Sequence, residues 1–67
     1  MNLDERAMSA WLAENTTNWT VAQINMACTY MFTQLMGTTE PPMLGSALWR
    51  DWWHEAEYVA GVRGTDA

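Results

Sequence analysis

Asp51, His54 and Glu55 are the residues whose types and spacing come nearest to chemistry in this chain. A carboxylate three residues before a histidine shares its helix face, a pairing that helical carboxylate-metal sites use. Those sites draw further carboxylates from neighbouring helices, and a zinc-binding helix needs a second histidine four residues on. Tyr58 stands at that position, and the chain has only one histidine. The trio is therefore expected to be a solvated polar face, with no metal and no cofactor.

Cys28 is the other candidate nucleophile, and no basic residue lies near it in the chain to lower its pKa. With no nucleophile-base pair, glycine-rich phosphate loop or paired-cysteine zinc spacing, the chain is not expected to be an enzyme. Trp49, Trp52 and Trp53 invite comparison with a stacking platform for bases or sugars. A nucleic-acid groove also needs cations, and the chain has no lysine and three arginines, Arg6, Arg50 and Arg63. A tryptophan stripe at helical spacing belongs to a core first. Any of its members left at the surface would be an anchor for a partner.

These residues are positioned by three expected helices. The best-specified one covers Thr20 to Met36, TVAQINMACTYMFTQLM, and contains no charged side chain. Val21, Ile24, Cys28, Met31 and Leu35 recur on one face. Thr20 and Gln23 fit a capping box, Trp19 and Ile24 fit a hydrophobic staple, and Gly37 fits a left-handed closing residue. Before it, Leu3 to Glu14 forms a helix capped by Asn2, with Asp4 and Glu5 in its first turn. Leu3, Ala7, Ala10 and Trp11 make its inner side, with Met8 and Leu12 at the edge. The polar run Asn15-Thr16-Thr17-Asn18 connects the two. After Pro41-Pro42, a third helix runs from about Met43 to Ala60, its apolar arc holding Leu48, Trp49, Trp52, Trp53, Ala56, Val59 and Ala60. The expected fold class is all-α: a small three-helix bundle with helices at about 3–14, 20–36 and 43–60, with dimerisation left open. One domain spans 1–67, and its polar tail is expected to fray from about residue 61.

The totals narrow the function classes. A chain of 67 residues buries roughly 60% of the surface that it exposes when unfolded, so it needs a staple, dense packing or a partner. A lone cysteine rules out an internal disulfide and fits a reducing, cytoplasmic setting. Five Trp and six Met supply the apolar bulk instead. Eight acidic residues against three basic ones give a net charge of −5, which disfavours direct binding to nucleic acid or anionic lipid and suits a basic protein surface. The opening MNLDERAMSAW carries acid where a secretory leader carries base. The chain is thus expected to be a complete small gene product, and its Asn15-Thr16-Thr17 and Asn18-Trp19-Thr20 sequons to be chance matches. The uncharged interval from Asn15 to Thr39 is interrupted by Gln23, Asn25, Thr29, Thr33 and Gln34 and has no basic anchors, so a buried helix accounts for it better than a membrane span.

Met26, Tyr30 and Met36 point away from the apolar stripe of the central helix, which leaves that helix either two neighbours in its own bundle or one of its own and one from another chain. The expected function is a small acidic protein-protein interaction module, an inhibitor or adaptor of the kind that a phage or mobile element uses to block a host protein. Met26, Tyr30, Trp49 and Trp53 are the expected anchors, and Glu14, Glu40, Asp51, Glu55 and Glu57 the expected acidic rim. The alternative is a self-associating homodimer or assembly subunit of a larger structure such as a virion.

Overall fold

The computed structural model of the protein describes residues 5–62. It holds three helices, α1 (Glu5–Asn15), α2 (Val21–Met36) and α3 (Ala47–Val59), and no strand among the described residues. The small all-α three-helix bundle is therefore what forms. The expected Asn2 cap, Leu3 and Asp4 lie outside the described residues, as does the tail beyond Val62.

Local sequence sets most helix ends. The Thr20 hydroxyl accepts from the Gln23 N–H at 3.1 Å, and the Gln23 side-chain oxygen accepts from the Thr20 N–H at 2.9 Å. The capping box is complete, and two otherwise orphaned donors are satisfied. At the end of α1, the Asn15 amide donates to the Trp11 carbonyl at 2.8 Å and the Thr16 hydroxyl to the Leu12 carbonyl at 2.7 Å. The polar connection thus closes the helix that precedes it. Asn18 then takes a left-handed φ of 69°, which asparagine tolerates, and Trp19 follows it.

Two helix ends differ from expectation. Gly37 closes α2 with φ −90°, outside the left-handed region, because its N–H bonds back to the Thr33 and Gln34 carbonyls in a tightened last turn. The third helix begins at Ala47, four residues later than expected. The Ser46 N–H bonds to the Met43 carbonyl at 3.0 Å across a turn in which Gly45 has φ 83°. The Ser46 hydroxyl then accepts from the Trp49 N–H at 3.3 Å as the N-cap. At the other end, Gly61 closes α3. Its φ is 80°, its N–H bonds to the Tyr58 carbonyl, and the Val62 N–H reaches the Glu57 carbonyl, both at 3.0 Å. Those are the paired bonds of a Schellman motif.

The core lies between α2 and α3. Ala27, Met31 and Leu35 from α2 meet Trp49, Trp53 and Ala56 from α3, with Ala60 just past its end. The early turns of α2 lie beside Val59, and its later turns beside Trp49 and Trp53, so the two helices run antiparallel. No Cα of α1 comes within 8 Å of a Cα in either of them. Side chains hold α1 in place, chiefly Trp11, whose ring meets Trp53 edge to face at 4.6 Å and Trp49 at 5.6 Å. Trp19, from the connection, stacks on Trp53 at 5.5 Å and 9°. The inner side of α1 is accordingly Met8, Trp11 and Leu12, while Ala7 and Ala10, expected there, are exposed. Large side chains bridge the gap that short ones leave open.

Two outcomes follow for stability. Trp11→Ala removes the main tie to α1 and is expected to cost about 3 kcal/mol, the low end for a buried aromatic because Trp11 is half-buried. In a domain this small that lowers Tm by more than about 10 °C in a calorimetric scan, and a shift below about 3 °C would show α1 to be held otherwise. Thr20→Ala and Gly61→Ala, which remove one hydrogen-bonding cap and one left-handed glycine, are each expected to cost about 1 kcal/mol in urea unfolding.

Candidate functional site

Among the sites weighed from sequence, the polar trio is the least equipped. Asp51, His54 and Glu55 are all exposed on α3. Among the described residues, no group of three His, Cys, Asp or Glu side chains is placed to hold a metal ion. His54 borders a depression of about 290 Å³ with Trp11, Asn15, Gly45, Arg50, Trp53 and Glu57. Nothing there pairs a nucleophile with a base.

The expected tryptophan anchors need correction. Trp49 is fully buried and Trp53 is 4% exposed, so neither can reach a partner without unfolding the core. Their indole N–H groups are buried with no hydrogen-bond partner, at a cost of about 1–3 kcal/mol each. The three ring contacts that they share with Trp11 and Trp19 contribute about 0.5–1.5 kcal/mol each beyond area burial, a comparable total. Burial of apolar area therefore decides that they sit inside.

The buried face of α2 also differs from the expected stripe. Met31 and Leu35 are buried, Ile24 and Cys28 are half-buried, and Val21 is 73% exposed. Ala27, fully buried, is the true centre of that face. Its single methyl lets α3 approach closely, so the face rotates toward it and away from Val21. As a result, α2 carries apolar residues on two uncovered flanks.

On one flank lie Met26, 47% exposed, and Tyr30, half-buried against the core. With Asn25, Thr29 and Val59 they line a shallow groove of about 340 Å³. Glu55 precedes Val59 by one turn of α3, about 40° further round toward solvent, while Asp51, two turns back, faces away from α2. The structure thus brings Met26 and Tyr30 together, with Glu55 one turn from Val59 at their border. Glu57 is half-buried on a different side of α3, beside Trp53 and His54. Glu14 is exposed near the end of α1, and Glu40 in the connection after α2.

The other flank carries Val21, Phe32 and Met36. Phe32 went unnoticed in the sequence because it belongs neither to the apolar stripe nor to the side opposite it. Counting about 100° per residue around α2 puts it within about 20° of Val21, which would have found it. Beside it, Met8, Leu12, Cys28, Met31, Leu35, Trp49 and Trp53 complete a cavity of about 220 Å³ between α1 and the α2–α3 pair.

Burial pushes the Cys28 thiol above its ordinary pKa. Less thiolate then exists at a given pH, the opposite of an activated nucleophile. Alkylation of the folded chain near pH 8 is expected to be several-fold slower than in the urea-unfolded chain. Its rate should go on climbing with pH after the unfolded thiol has levelled off; equal rates and equal profiles would show the thiol to be fully solvated.

No helix among the described residues is long and apolar enough to cross a membrane. Compared with known protein families, with curated proteins and with solved structures, the chain matches none of them.

Proposed function

We propose that this chain acts by contacting another protein, as a small acidic inhibitor or adaptor without chemistry of its own. The observation that supports it most is the groove formed by Met26, Tyr30 and Val59, with the exposed Glu55 one turn before Val59. Met26 and Tyr30 supply adaptable apolar contact, of the residue types favoured at interfaces. Glu55 beside the groove, and the exposed Asp51 further round α3, supply orientation toward a basic surface and speed encounter with it. A net charge of −5 with no lysine extends that field beyond the groove and turns away nucleic acid and anionic lipid. Occlusion is the mechanism that such a surface fits: the chain covers a basic patch that its partner needs for something else. An origin in a phage or mobile element, acting in the host cytoplasm, fits the size and charge.

The test is capture of a partner from lysate of the source cell, followed by kinetics on the purified pair. Association is expected to slow roughly tenfold as salt rises from about 0.05 to 0.5 M, since exposed charges are screened over that range. Met26→Ala should weaken the complex by about tenfold, mostly in the off-rate, and Glu55→Gln should act mainly on the on-rate. A salt-independent on-rate, together with full affinity in both variants, would refute this surface.

A further inference from the structure

We infer that the flank of α2 carrying Val21, Phe32 and Met36 is a self-association surface, and that its occupant is the same flank of a second copy of this chain. Val21 is 73% exposed, Phe32 58% and Met36 73%. With exposed Asn25 they fall within about 60° of the helix circumference, on a strip that α3 does not cover. Three large apolar side chains in line on one helix are a typical recognition face.

Charge selects the occupant. All eight carboxylates lie outside residues 15–39, and so do all three arginines. A basic partner has nothing to pair with on this strip. A second copy, itself at −5, is repelled wherever α1 or α3 faces its own kind, since both carry exposed acid. Of the three helices, only α2 carries no carboxylate of its own to set against its copy. The spacing is also self-complementary, because residues 21 and 36 are centred on the same point as residues 25 and 32. A twofold axis through that point sets Val21 against Met36 of the second copy and Asn25 against Phe32, with the helices antiparallel and their dipoles opposed. The strip is about 22 Å long, which places the buried area at the low end for a specific interface. The dimer is therefore a reversible one, populated at high concentration.

This inference is independent of the foreign partner, which uses the opposite flank, and salt separates the two. Screening relieves the repulsion between two copies at −5, so raised salt should strengthen self-association while it slows capture of a basic partner. Sedimentation equilibrium over a concentration series up to about 1 mM reads the result directly. The expected mass climbs from 7.6 kDa toward twice that value, and climbs earlier at 0.5 M than at 0.05 M salt. Phe32→Glu and, separately, Met36→Glu should each raise the dissociation constant at least tenfold while far-UV circular dichroism stays unchanged. Leu48→Glu places the same charge on α3 at a residue of similar exposure, 48%, and should leave the strong salt-dependent climb in place. A wild-type mass of 7.6 kDa throughout, or Phe32→Glu and Met36→Glu proteins that associate as the wild type does, would overturn the inference. So would a Leu48→Glu protein that loses association to the same extent as they do.

Discussion

Trp53 is the residue through which the segments of this small protein meet. It belongs to α3, receives the edge-to-face contact of Trp11 from α1, and carries Trp19 from the connection stacked on its ring. Trp49, one turn earlier, extends the same cluster. Each indole removes about 150–250 Å² from water. At about 25 cal/mol per Å² that gives an upper bound of about 4–6 kcal/mol per ring, a large sum for a domain with no disulfide to restrain its unfolded chain. The two buried indole N–H groups show how far area outweighs polarity here, since both remain without a partner.

Concentrating the aromatic bulk on one side has a consequence for the rest. Indoles reach far enough to hold α1 without bringing its backbone near the other helices, and the space beneath is only partly filled. The central helix is then packed closely along one face, through Ala27, Met31 and Leu35, while its two flanks stay open. A helix without a charged side chain that is covered on one face alone is an incomplete object in water. Its functional meaning lies in what completes it. One flank is bordered by α3 at Val59 and the other by α1 through Met8 and Leu12, so the two present different surfaces.

Much of the fold is legible in the chain because it is written locally. Thr20 and Gln23 are three residues apart and satisfy each other's backbone groups with no help from elsewhere, so the start of α2 follows from the sequence. Spacing puts Trp49, Trp53 and Ala56 on one apolar arc of α3, but it does not say that the two tryptophans expected as anchors are wholly inside. Ser46 was equally readable as a cap, but the two prolines five and four residues before it drew the expected start of α3 forward; the glycine turn between them decides the matter. Gly61, just past the last turn of α3, is likewise what a left-handed closure requires. The candidate site was less legible, for a physical reason. Periodicity gives large side chains most weight, whereas the orientation of α2 is set by its smallest, Ala27, whose role is to make room for α3. Once α2 turns toward that partner, Val21 moves out to solvent and the importance of Phe32 emerges, and no local pattern contains this information. Trp19 behaves likewise: its place before the cap points locally to Ile24, and nothing local points to the ring that it stacks upon, 34 residues further along the chain.

Indole N–H exchange into deuterated solvent, resolved by NMR for each of the five tryptophans, tests the central claim most directly. If the cluster around Trp53 carries the fold, Trp49 and Trp53 exchange slowest of the five, and cross-peaks join the Trp53 ring to those of both Trp11 and Trp19. Uniformly fast exchange, at the rate of the urea-unfolded chain and with no cross-peaks among these rings, would contradict the account.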